Sequence, residues 1–171
     1  VISFLDYSQN PYRAESDSII RKWNLGVTEN DRGEYRKGKL VDPAHPVVFY
    51  IDTCCPAEFV PYIKEGVLAW NAAFEKAGFK NALRVKMADS ETVLEEQRAV
   101  IAYDLSEAGI RTGYTFHPKT GEILSCRVNI GHGFLPKELW RYVLECGTVD
   151  DRIRKEFFHP DVVGEILRSK V

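Results

Sequence analysis

What this sequence lacks narrows its chemistry before any motif is read. Its four cysteines, Cys54, Cys55, Cys126 and Cys146, never fall at C-x-x-C spacing, which excludes a zinc knuckle or dithiol redox pair built from them alone. No apolar run approaches the roughly 18 to 20 residues of a membrane-crossing helix, so no membrane span is expected. Neither sign of charge dominates: 23 Lys and Arg against 25 Asp and Glu leave a formal net charge of -2. No net field therefore draws the chain to nucleic acid or to an anionic membrane, and no nucleic-acid partner is expected. The common catalytic signatures are missing as well. The sequence has no H-E-x-x-H, no G-x-x-x-x-G-K-[ST], no G-x-S-x-G and no dinucleotide fingerprint.

What is present suits one globular core. The 171 residues are 44% hydrophobic and 12% aromatic, enough for one core and too few for two. Residues 1–46 read as a polar entry segment closed by Asp42-Pro43-Ala44-His45-Pro46, and its mixed-charge stretch over 31–39 reads as a solvated loop. The remainder, 47–171, reads as one domain. Val47-Val-Phe-Tyr-Ile-Asp52 has the β-branched and aromatic density of a buried strand. Pro56 opens a helix over 56–77, with Phe59, Ile63, Val67, Trp70 and Phe74 as its inward stripe and Gly78 as its stop. On this reading Trp70 is a core residue, as are Trp23 and Trp140.

Residues 82–87 alternate apolar and polar as a half-buried strand does. Strand, helix and strand in that order require two parallel strands joined by a crossover. An acidic excursion over 89–96 reads as a surface helix or loop, and 98–103 as a third strand. Residues 113–117, a turn over 118–121 and a strand over 123–130 form a hairpin, which brings one antiparallel strand into the sheet. A helix is expected over 136–146. A last one starts at Pro160, where Val162, Val163, Ile166, Leu167 and Val171 recur at helical spacing with no stop residue after them. The sequence is therefore expected to be a piece of a longer chain, truncated in its last helix.

Few side chains announce chemistry. His45, His117 and His159 adjoin prolines or a proline-led turn and His132 lies between glycines, so each reads as a turn residue. Asp150-Asp151 and Glu95-Glu96 are adjacent carboxylates that read as solvated charge. Gly131-His-Gly133 would let backbone approach a ligand but lacks the following helix glycine of a phosphate cradle.

Longer stretches carry more information. Val47-Val-Phe-Tyr-Ile-Asp52, Pro61-Tyr-Ile-Lys-Glu-Gly66, Trp70 and Ala73-Phe-Glu-Lys-Ala-Gly-Phe-Lys-Asn-Ala82 resemble the start of the catalytic domain in a family of bacterial secreted, zinc-dependent, metzincin-like metalloproteases. The resemblance continues through Pro118-Lys-Thr-Gly-Glu-Ile123 and Gly164-Glu-Ile-Leu-Arg168. It also reaches back to Arg21-Lys-Trp23 and Gly38-Lys-Leu-Val-Asp-Pro43, so it spans nearly the whole chain. Cys54-Cys55 depart from it, standing where that family usually has small residues.

The resemblance implies an α/β fold, a zincin- or metzincin-like twisted mixed sheet, mainly parallel with one antiparallel edge strand and backed by helices. It also implies a parent protein that hydrolyses peptide bonds in a peptide or protein substrate through a zinc-activated water, and a secreted or cell-envelope location. In that family the helix resembling 160–171 leads into H-E-x-x-H, whose histidines hold the metal. Those ligands are not in this sequence. No catalytic or metal residue is therefore assigned, no zinc is expected on this fragment, and the fragment alone is expected to be inactive. The family's substrate-pairing edge strand falls on Gly113, Tyr114, Thr115 and Phe116. Without the resemblance the same residues are an ordinary hairpin arm. Two rivals stay open: a peptide- or protein-binding module of the same fold that does not cut, and an unrelated hydrolase pairing His117 or His132 with Glu122 or Asp104.

Overall fold

The structure, a computed structural model, describes residues 2–6, 8, 12, 13, 15–89, 98–106 and 109–170. Residues 90–96 of the expected acidic excursion and Val171 lie outside the described residues. The elements in chain order are β1 (Ile2–Asp6), β2 (Glu15–Ile19), α1 (Arg32–Arg36), β3 (Val47–Ile51), α2 (Val60–Ala69), α3 (Asn71–Lys76) and β4 (Leu83–Met87). They continue with β5 (Ala99–Asp104), β6 (Ile110–Phe116), β7 (Ile123–Gly131), α4 (Phe134–Cys146), α5 (Asp151–Lys155) and α6 (Pro160–Lys170). Among the described residues β1 and β2 pair only with each other, and the main sheet has the order β4-β3-β5-β7-β6. β3 is parallel to β4 and β5, β5 is parallel to β7, and β6 is antiparallel to β7 at the edge. The chain is thus an α/β domain with a mostly parallel sheet, one antiparallel edge strand and a backing of helices.

The period of two along each strand divides the sheet into unlike faces. Register aligns Val85, Phe49, Ala99, Cys126 and Tyr114 across all five strands, and Ile51, Ile101, Val128 and Thr112 across four of them. This face supplies the core, where Ile51 and Ile101 are fully buried together with Ile63 of α2, Leu139 of α4 and Val162 of α6. The opposite face carries Arg84, Lys86, Arg127 and Arg111, all exposed. β5 departs from the alternation because both its neighbours are strands: Ala99 through Ala102 are buried in succession, the pattern of a central parallel strand.

Two glycines set how the helices lie. A Cβ on Gly66 of α2 would stand 2.9 Å from the Arg168 backbone oxygen of α6, and one on Gly164 of α6 would strike the Tyr62 ring of α2. The Gly66 clash is with backbone, which no side-chain movement relieves, so α2 and α6 approach this closely because Gly66 lacks a Cβ, while Gly164 leaves room for the Tyr62 ring. Arg168 closes the same contact, reaching Glu65 at 3.0 Å and lying over the Tyr62 ring at 5.6 Å from its centroid.

Several expectations are corrected. The single helix expected over 56–77 is two, because the chain turns at Pro56–Phe59 and α2 closes at Trp70, whose N–H reaches back to the Val67 carbonyl. Asn71 then ties α3 to the sheet, its side-chain amide donating to the Leu83 carbonyl at 3.1 Å and accepting from the Leu83 N–H at 2.8 Å. The stop at Gly78 is as expected, with φ at +92°. Trp70 and Trp140 are not core residues: each is 60% exposed. The mixed-charge loop over 31–39 contains α1, where Glu34 pairs with both Lys37 and Lys39. Nor is Asp150 solvated charge. It caps α5 through the Arg152 N–H, accepts the Tyr142 hydroxyl at 2.7 Å, and shares Arg152 with Glu165 of α6. These partners hold its carboxyl well below the usual range, the Arg152 hydrogen bonds contributing most.

A helix-interior Gly→Ala change ordinarily gains about 1 kcal/mol. For Gly66→Ala the backbone clash reverses the sign, and a loss of about 1 to 3 kcal/mol is expected in urea denaturation. Gly33→Ala in α1, where an added Cβ meets nothing within 4 Å, serves as the control; a stability gain in Gly66→Ala would refute the close crossing.

Candidate functional site

The two edges of the sheet differ in kind. The Val47 N–H of β3 donates to the Ala82 carbonyl just before β4, and the Ala88 N–H just after β4 donates to the Ile51 carbonyl of β3, so on β4 the outward groups belong to Leu83, Val85 and Met87. Asn71 covers both backbone groups of Leu83, and Arg84 and Lys86 add charge to the strand. Short capped or charged edges are how proteins discourage strand addition. β6 at the other end has seven residues, and its burial from Arg111 to Thr115 is that of an exposed strand.

The register of β6 fixes which of its groups face outward. The Gly131 N–H donates to the Gly109 carbonyl at 3.4 Å and the His117 N–H to the Glu122 carbonyl at 2.8 Å, bracketing the ladder at both ends. Bonded and non-bonded pairs alternate in an antiparallel ladder. Arg111, Gly113 and Thr115 therefore turn their backbone groups toward β7, while Ile110, Thr112 and Tyr114 turn theirs to the open side. A Cβ built on Gly113 meets nothing within 4 Å.

This redistributes the expected site. Gly113, Tyr114, Thr115 and Phe116 all lie on the edge strand, but only Tyr114 of the first three offers its backbone to a ligand. Phe116 sits at the bulge that shifts the register after Thr115. Ile110 and Thr112, which the sequence reading passed over, supply the other outward donors and acceptors. The side chains of Ile110, Thr112 and Tyr114 form one wall of a trough of about 370 Å³ on the helix face, with Trp70 and Phe74 opposite and Lys170 at its end. Arg21 lies over the Tyr114 ring, 5.0 Å from its centroid. Burial raises the Tyr114 phenol above its ordinary value and the Arg21 charge partly offsets that. An outward-facing backbone beside an apolar trough has the geometry that β-strand addition uses in general.

Other candidate groups are engaged elsewhere. Asp104 accepts from the Ser106 N–H at 2.9 Å and from Arg111 at 3.1 Å, and these bonds, Ser106 first, keep its carboxyl low. Glu122 accepts from Asn24. The ring of His132 hydrogen bonds to the Tyr103 hydroxyl at 2.7 Å and that of His117 accepts from its own turn at Lys119 and Thr120. The histidine and carboxylate pairs of the hydrolase rival are thus each bound to other partners. His159 caps α6 by accepting the Asp161 N–H. The backbone of the Gly-His-Gly turn is likewise occupied, since the N–H groups of Gly131, His132 and Gly133 donate to Gly109, Asp104 and Ser106.

All four cysteines are free thiols. Cys55 and Cys126 are buried and their thiols are pushed up to about 11, chiefly by that burial, which makes them poor nucleophiles and ligands. Cys54 is exposed. Among the described residues no three His, Cys, Asp or Glu side chains gather into a group able to hold a metal ion, and no helix is long and apolar enough to cross a membrane. Neither models of protein families nor curated proteins nor solved structures give a match to this chain.

Proline at an outward-facing edge position removes no ladder bond, whereas one position along it does. Thr112→Pro should therefore keep the stability of the protein to within about 1 kcal/mol, while Gly113→Pro, which strips a donor from the β7 pairing, should cost roughly 1 to 3 kcal/mol in urea denaturation. The reverse order would show that the register alternates the other way.

Proposed function

We propose that this chain is the peptide-aligning part of a zinc-dependent metallopeptidase, a fragment whose β6 edge receives the substrate as an added strand. One observation carries the reading: the outward backbone groups of Ile110, Thr112 and Tyr114 beside the Trp70 and Tyr114 trough. Two further features support it. The antiparallel edge strand comes immediately before the last sheet strand, as the resemblance implies, and α6 is the element that resembles the active-site helix. A secreted or envelope setting belongs to the same reading.

The contribution of this chain is binding and orientation. An extended substrate laid along β6 advances roughly 3.3 Å per residue and finds an N–H and a C=O at every second one. That repeated bonding holds the backbone straight and fixes which peptide bond is presented, converting an encounter into a defined geometry. Specificity for side chains comes from the trough, which takes those pointing to the helix face. Among the described residues no three donor side chains gather into a metal site, and no step of hydrolysis is assigned to this chain. The second reading is a module of this fold that grips a peptide without cutting it.

The two readings separate in one set of measurements. With an extended peptide the chain should bind without cleavage, and Thr112→Pro, by removing one donor, should weaken binding about 3- to 10-fold. In a longer native protein containing this chain, metal analysis should find stoichiometric zinc and a chelator should abolish proteolysis. Binding in the fragment with neither zinc nor proteolysis in the longer protein would establish the non-cutting module. No peptide binding at all would defeat both.

A further inference from the structure

A cavity that shares no lining residue with the β6 trough has the make-up of a ligand site. It measures about 590 Å³, within the range of small-molecule pockets. Its walls come from the chain just after β3, at Phe59, from Tyr103 near the end of β5, and from His132 just after β7. In the order β4-β3-β5-β7-β6 the chain leaving β3 returns to one side of it and the chain leaving β5 returns to the other. The carboxyl ends of β3 and β5 thus flank a point where the connections diverge, and open α/β sheets commonly bind ligands there.

The lining dictates the chemistry of the occupant. Phe59 meets Tyr103 edge-on at 6.1 Å between centroids, Tyr103 meets His132 at 6.1 Å and 88°, and Tyr62 and Phe158 complete the aromatic wall. Such rings favour a flat ligand that stacks or meets them edge to face. The Tyr103 hydroxyl bonds His132 Nδ1 at 2.7 Å, which fixes the imidazole and leaves Nε2 as its polar group for a ligand. The charges nearby oppose one another. The first turns of α2, α4 and α6 meet at the cavity, and their positive ends disfavour a cation. Glu58, which among the described residues is the one acidic or basic side chain of the lining besides the imidazole, disfavours an anion.

We propose that this cavity binds an uncharged aromatic small molecule, stacked among Phe59, Tyr62, Tyr103 and Phe158 and hydrogen bonded to His132. The site is separate from the peptide edge and does not rest on the peptidase reading.

The test titrates the whole chain with N-phenyl-1-naphthylamine, a neutral aromatic fluorophore, in parallel with the anionic 8-anilinonaphthalene-1-sulfonate. The neutral probe should bind saturably at one site with a dissociation constant below about 100 µM, and the anionic one about tenfold or more weakly. Amide NMR shifts should cluster at Phe59, Tyr103 and His132, and His132→Ala should weaken the neutral probe about 3- to 10-fold. The shift map on the unaltered protein decides the matter if that variant does not fold. No saturable binding, shifts centred on β6 and Trp70, or tighter binding of the anionic probe would each overturn the proposal.

Discussion

The contact between α2 and α6 at Gly66 and Gly164 governs where everything else on the helix face lies. With no Cβ on Gly66 the α2 backbone comes close to that of Arg168, with none on Gly164 the Tyr62 ring fits against α6, and Ile63, Val67, Val162, Val163, Ile166 and Leu167 share one core cluster with β3 and β5. Helices drawn together over the centre of the sheet leave its β7 and β6 end less covered. There the apolar side chains of Ile110, Val128 and Tyr114 line a trough in place of a packed interface. At the other end, the first turns of α2, α4 and α6 meet over the carboxyl ends of the strands and leave the aromatic cavity between them.

An edge strand seven residues long with no paired strand on its outer side among the described residues is a hazard, since it invites pairing with any extended chain. The contrast with β4 gives the exposure of β6 its meaning. On β4 an asparagine from α3 satisfies both outward groups of Leu83, whereas on β6 the outward groups of Ile110, Thr112 and Tyr114 face the open side and the one charged side chain, Arg111, is drawn aside to Asp104. On the proposed reading, the chain caps one edge and keeps the longer one for strand addition. The helix face next to that surface is aromatic and apolar, which suits a peptide side chain better than water.

The sequence made the sheet legible because its signals there are local. The β-branched run at Val47 to Ile51 and the turn over 118–121 mark β3 and the hairpin directly, and the order of strand, helix and strand forces parallel pairing. What stayed hidden depends on partners distant in sequence. Asp150 looks like solvated charge until Tyr142, Arg152 and Glu165, from three helices, close on it. Trp70 fits a helical stripe until α2 ends at that residue. His132 looks like a plain turn residue because its partner, Tyr103, stands 29 positions away. The hairpin marks the edge strand, but not which of its residues turn their backbone outward. Which alternate residues face outward depends on the pair that opens the ladder, and nothing in a strand of mixed polarity announces that parity.

The most direct measurement of this account is residue-resolved amide hydrogen exchange along β6. In the free protein Arg111, Gly113 and Thr115, bonded to β7, should be protected, while Ile110, Thr112 and Tyr114 exchange rapidly and gain protection when an extended peptide is added. Uniform protection of all six amides before any peptide is present would contradict an open, peptide-accepting edge.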